Sequence, residues 1–151
     1  MRIRFTLLLA AMIFRTAAAA DTGHVFKVLP LWLDQQGRTA TSPSLFDRDA
    51  YQVVLRDHPD QVSALRYDIL WTAKKSSASK YVLRLELRSV AADGKPKLKT
   101  FETSVTPGFF RKWNSFTLTG DEMKKFGSVV AWRATLWDGA TAVGEQKSFL
   151  W

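Results

Sequence analysis

From Val62 to Ala73 the chain alternates, with Leu65, Tyr67, Ile69 and Trp71 on one side and Arg66, Asp68 and Leu70 on the other. Period two is the mark of a half-buried strand. Tyr81, Leu83, Leu85 and Leu87 repeat the pattern against Val82, Arg84, Glu86 and Arg88, and the polar stretch from Lys74 to Lys80 joins the two runs. Before them, Val25 to Leu33 is rich in strand formers, but Pro30 has no N–H to give a ladder, which predicts an edge strand or a kink. Ser42-Pro43 then pairs an N-cap with a favoured first helical residue, so a helix is expected over 43–57, closed by Pro59, with Phe46, Ala50, Val53 and Val54 as its inward stripe.

The pattern continues through a turn at Asp93-Gly94 into a fourth strand carrying Phe101, Thr103 and Val105, and through the loop from Pro107 into a fifth, Trp113 to Thr119. Thr119 stands three residues before Glu122, the capping-box spacing, and Gly127 supplies a stop, predicting a short helix over 120–126. Val129 to Asp138 is apolar on both alternations and is expected to be a central strand. Ala142 to Leu150 is expected as the seventh strand, joined to it by a loop longer than two residues, with the aromatics of Phe149-Leu150-Trp151 in the core.

About seven short strands punctuated by turn signals predict an all-β fold, mainly β with one or two short helices, arranged as an antiparallel two-sheet sandwich. In architecture this resembles immunoglobulin-like and fibronectin-III-like sandwiches: a Pro-broken first strand, a Trp at the end of the second, a helical turn before the penultimate strand and a final hairpin. No sequence motif of either family is complete, and the absence of Cys excludes the antibody-type core. A membrane barrel is the competing all-β reading, because Phe149 and Trp151 share a register. Lys147 and Glu145 continue that register with charge, and a basic residue facing lipid at the midplane costs about 2–4 kcal/mol.

Composition changes the picture mainly at the N-terminus. Arg2 and Arg4 precede an apolar stretch from Phe5 to Phe14, and Ala17 to Ala20 offers A-x-A cleavage choices before Asp21. Residues 1–20 therefore read as a secretory signal peptide and 21–151 as a single sandwich domain; Arg15 interrupts the apolar run and weakens the alternative of a retained membrane anchor. Removing 1–20 takes away three Arg and no acid, so the formal charge falls from +8 to +5. With no Cys among 151 residues, 46% of them hydrophobic, the exported domain is expected to be held by its core, in a secreted or periplasmic setting.

Candidate chemistry is sparse. A zinc site normally takes several His or Cys ligands, and the chain has only His24 and His58, without H-x-x-x-H spacing, so no metal site is expected. There is no G-x-S-x-G elbow, G-x-G-x-x-G or P-loop, and the acids at Asp47, Asp49, Asp57, Asp60, Asp121 and Glu122 each have a place at a helix surface or end. The expectation is a non-catalytic chain with no cofactor. Lysines gather at 74, 75 and 80, at 95, 97 and 99, and at 124 and 125, and are read as solvated sheet surface and edge protection rather than a nucleic-acid patch.

One segment stands out as a candidate contact site. Phe109, Phe110, Arg111, Lys112 and Trp113 concentrate three aromatics and two cations in and beside a loop. Exposed, they would stack on sugar faces or anchor in a partner's pocket while the cations meet an acidic group. Turned inward, Phe109 or Phe110 would plug one end of the sandwich and Trp113 would join the core. The function expected is an exported interaction or structural module with no transmembrane span after cleavage and a protein partner; the alternative is a module binding carbohydrate or an anionic cell-envelope polymer through 107–113. The sequence sets no oligomeric state.

Overall fold

The strands make two antiparallel sheets that face each other across one hydrophobic core. The computed structural model describes residues 22–75, 80–91 and 93–151; the signal segment and part of the polar loop after Lys75 lie outside these described residues. In chain order the elements are β1 (Gly23–Asp34), α1 (Leu45–Asp57), β2 (Val62–Ala73), β3 (Tyr81–Val90), β4 (Pro96–Val105), β5 (Lys112–Thr119), α2 (Gly120–Phe126), β6 (Ser128–Asp138) and β7 (Thr141–Lys147). A single 3-10 turn, Pro59–Gln61, links α1 to β2. The smaller sheet is ordered β1-β2-β5 and the larger β4-β3-β6-β7, so the four edges are β1, β5, β4 and β7. These are two open sheets, a β-sandwich, and not a closed barrel.

Alternation sets the core. Leu65, Tyr67, Ile69 and Trp71 of β2 are buried and face Leu83, Leu85 and Leu87 of β3, with Phe116 and Leu118 of β5 and Ala134 and Leu136 of β6 completing the cluster. Burial pushes the Tyr67 phenol well up from its ordinary value. Trp71 is fully buried, and its indole Nε1 donates to Asn114 Oδ1 at 2.7 Å across the β2–β5 ladder. β6 lies between β3 and β7, as its two-sided apolar pattern predicts.

β1 is an edge strand, which is where Pro30 belongs. Its ladder with β2 slips by one residue between Val25 and Lys27, leaving Phe26 as a bulge. The expected stripe of α1 is reversed. Leu55 is its one buried residue, flanked at helical spacing by the half-buried Arg48, Tyr51 and Gln52, whereas Phe46, Ala50, Val53 and Val54 face solvent. The reason lies in β1, which presents polar groups to the helix. The Gln52 amide accepts from Trp32 N–H at 2.6 Å and donates to Trp32 C=O at 2.9 Å and Thr39 C=O at 2.8 Å. Tyr51 Oη donates to the buried Asp34 carboxylate at 2.9 Å. The N-cap is Ser44, one position beyond Pro43, and Ser42 instead donates to Asp47 at 2.6 Å.

The other differences sit at turns and ends. Asp138 pairs with Thr141, so the β6–β7 connection is a two-residue turn rather than a long loop. Gly139 alone in it has positive φ, at 57°, as a type II′ hairpin requires at its first central residue. β7 stops at Lys147, because Ser148 Oγ accepts from Trp132 N–H at 3.0 Å while Ser148 N–H donates to Trp132 C=O. Phe149 and Leu150 are exposed, and Trp151 lies on the outer face of the larger sheet against the guanidiniums of Arg88 and Arg133, 4.0 and 4.8 Å from its ring; none of the three is in the core. Lys97 and Lys99 are register partners of Ser89 and Leu87, on the inward row of β4; Lys97 is exposed and Lys99 half-buried, and both also reach α2, Lys97 donating to Lys125 C=O and Lys99 to Glu122, both at 2.6 Å. Inward charge of this kind guards a sheet edge.

Two carboxylates give the fold a pH signature. Desolvation pushes the Asp34 carboxyl up, but the Arg38 amide and guanidinium, the Tyr51 hydroxyl and the Gln36 amide together outweigh it and hold it at about 2, against an ordinary 3.8. The Lys99 ammonium, with the Thr119 amide and hydroxyl, holds Glu122 at about 2, against an ordinary 4.5. A pKa depressed on folding stabilises the native state above the unfolded value and ceases to do so as pH falls through the folded one. The melting temperature is therefore expected to fall between pH 4.5 and pH 2, the window these values span. Asp34→Asn and Glu122→Gln should each flatten that fall relative to their own neutral-pH values; thermal scans giving an unchanged acid slope in both variants would refute the assignment.

Candidate functional site

The loop between β4 and β5 carries the candidate residues, and its aromatics are outside. Phe109 and Phe110 are 95% and 85% exposed, and Trp113, the second residue of β5, is 51% exposed. The inward reading of this segment does not hold: Pro107 is the buried residue of the loop, and the two phenylalanines project from it. Trp113 is the register partner of Leu70, on the row opposite buried Ile69 and Trp71, so it stands on the outer face of the smaller sheet.

The two cations are held differently. Lys112 Nζ donates to Thr106 C=O at 2.8 Å, drawing the two ends of the loop together. The Arg111 guanidinium lies 3.9 Å from the centre of the Phe26 ring, which is itself tilted against the His24 imidazole at 4.5 Å. Among the described residues neither Arg111 nor Lys112 has a carboxylate partner. Phe26 is the bulged residue of β1, and its ring meets Arg111 at the entry to β5.

Phe109, Phe110, Arg111, Lys112 and Trp113 are thus brought to one end of the smaller sheet, together with Phe26, His24 and Leu70. Sequence reasoning missed these last three. Phe26 lies within a run of strand formers whose simple alternation gives no sign of the slip, and Leu70 is the one large apolar residue among the polar Arg66, Asp68 and Thr72 on the outer row of β2. Chemically, the surface offers flat apolar faces, a guanidinium fixed on an aromatic, and an ammonium without a countercharge. It can stack on planar or ring-shaped groups and attract anions.

A separate cleft of about 890 Å3 opens where α1, the 3-10 turn, α2 and the start of β6 meet. Trp32, Leu65, Met123 and Val129 floor it, and these belong to the core or pack on it. Of its charged residues, Arg56 pairs with Asp57 at 3.5 Å and Lys124 with Asp121 at 3.9 Å, while Asp60 contributes its backbone carbonyl to Gln35. His58 ends α1, with Nδ1 at 2.9 Å from Val54 C=O, a capping role. Among the described residues no group of three or more His, Cys, Asp or Glu side chains is placed to hold a metal ion, and no helix is long and apolar enough to cross a membrane. Comparison with protein families, curated proteins and solved structures finds no match.

Proposed function

We propose that the chain is an exported, non-catalytic binding module that holds an anionic glycan or similar cell-envelope polymer on the surface formed by Phe109 to Trp113. The observation that carries this reading is the exposure of three aromatics in five consecutive residues, interleaved with two cations that lack acid partners. Ring faces stack on sugars and anchor contacts, and uncompensated charge selects anionic chains among them. Export rests on the N-terminal sequence alone. The order β1-β2-β5 against β4-β3-β6-β7 supports a fibronectin-III-like type, since the constant-type immunoglobulin sandwich places its fourth strand in the sheet of the first.

The test is a titration of the mature protein with alginate and heparin as anionic probes and dextran as a neutral one, at two salt concentrations, followed by calorimetry. The anionic probes are expected to bind and to weaken with salt. Combined Phe109→Ala, Phe110→Ala and Trp113→Ala should weaken binding about tenfold or more, equivalent to about 1.4 kcal/mol. Absence of binding, or binding untouched by the triple variant, rejects the site; turnover of any probe rejects the non-catalytic reading.

A further inference from the structure

The surface that carries the aromatic loop does not end at β5. Trp113 of β5, Leu70 of β2 and Lys27 of β1 are register partners in turn, so one line of outer-face residues crosses all three strands of the smaller sheet. Lys27 precedes buried Val28 and is itself exposed, and among the described residues it has no carboxylate partner. Beside it stands the bulged Phe26, with the Arg111 guanidinium 3.9 Å from its ring centre. Stacking covers one face of a guanidinium and leaves its in-plane N–H donors for a carboxylate or a sulfate. The far edge of the sheet thus repeats the composition of the loop, an aromatic next to a cation, at a distance of two strand spacings, roughly 10 Å.

Charge decides the direction in which a polyanion can lie here. Along β2 toward the middle of the sheet the next outer-face residue after Leu70 is Asp68, whose carboxylate is held by Arg66 at 2.8 Å and by the Ser115 hydroxyl at 2.6 Å; the other way β2 ends at Ala73. A chain following the strand runs onto an acid or off the sheet. Across the strands it meets Arg111, the faces of Trp113 and Leu70, and then Lys27, with no acid on the line. Strands lie about 4.8 Å apart, close to the advance of one pyranose ring in an extended glycan, so successive sugars can fall on successive strands. We infer that the bound glycan lies across the smaller sheet, from the 109–113 loop over Leu70 to a far subsite made by Phe26 and Lys27. This rests on the reading of the loop as a glycan site and adds a length requirement to it: a ligand of about two sugars occupies the loop side alone, whereas about four reach β1.

Calorimetry of the mature protein with alginate, and with oligouronates cut from it to between about two and about eight sugars, tests this, since those lengths bracket the span to β1. At low salt Lys27→Glu should weaken the binding of long alginate about fivefold or more, and Phe26→Ala about threefold or more, by removing a ring and releasing Arg111. Lys147→Glu makes the same change of charge on the outer face of the larger sheet, beside Arg133, and should stay within about twofold of the wild type. Circular dichroism checks each fold, and Lys27, exposed on an edge strand, keeps the test decisive if Phe26→Ala unfolds. The cost of Lys27→Glu should shrink as the oligouronate is shortened and be smallest with the shortest one that still binds. Long alginate held equally by the wild type and Lys27→Glu, a folded Phe26→Ala variant that binds like the wild type, a cost of Lys27→Glu that is the same at every length, or an equal loss in Lys147→Glu would each overturn the inference. If the triple variant at Phe109, Phe110 and Trp113 loses binding in any of these cases, the loop site stands and only its extension to β1 falls. A wild type that does not bind alginate overturns both.

Discussion

Trp71→Ala is expected to destabilise the sandwich by about 3–5 kcal/mol, lowering the melting temperature by about 10–20 °C. Trp71 is fully buried in the central strand of the smaller sheet, opposite Val25 of β1 and Lys112 of β5, and a truncation there leaves a cavity that the flanking strands cannot fill. Its polar atom is a second element of the loss. Trp71→Phe keeps most of the ring but frees Asn114 Oδ1, whereas Asn114→Ala strands a buried indole N–H, which costs about 1–3 kcal/mol. Urea denaturation of the two single variants and the double variant separates the bond from the packing. If Trp71→Ala unfolds within 1 kcal/mol of the wild type, the core is not built around this residue.

Gly127→Ala is the second large effect, about 2–4 kcal/mol, and its origin is backbone rather than side chain. Gly127 caps α2 with φ at 91° and ψ at −171°, a region open essentially to Gly alone. A Cβ there would press on the Val90 carbonyl oxygen and lie 2.9 Å from Ala91 Cα, both on the backbone at the end of β3. Beside it, Ser89 Oγ donates to Phe126 C=O at 2.6 Å, so the end of α2 and the end of β3 are locked together and neither can retreat. Gly127→Asn should do no better than Gly127→Ala, because this is not the left-handed helical region that Asn tolerates. Equal stability of the Ala variant and the wild type in denaturant would refute this account.

Most of the strands were legible in the sequence because alternation and burial are the same fact seen twice: Leu83, Leu85 and Leu87 alternate because one face of β3 meets the other sheet. The capping box at Thr119 and Glu122 was legible for a similar reason, being a local hydrogen-bond arrangement with a fixed spacing. What failed was whatever depended on a distant partner. The orientation of α1 is decided by Trp32 and Asp34, which lie well before the helix in sequence, and no count of apolar residues within 45–57 contains that information. The slip at Phe26 and the outer-face position of Trp151 depend on neighbouring strands in the same way. The aromatic loop could be located from sequence as a concentration of ring and cationic residues, but its direction could not, since an inward plug and an outward platform have the same composition.

The bond between Gln52 and Trp32 has a consequence for how the chain behaves in a crowd. An edge strand offers unpaired N–H and C=O groups as a template on which another extended chain can add, the first step of sheet-to-sheet aggregation. On β1 the Gln52 amide occupies both groups of Trp32, and Pro30 has no N–H to offer, so that template is interrupted. Gln52 is thereby a gatekeeper as well as an anchor. Without it, the sheet would still stand on its core while its border lay open to recruitment.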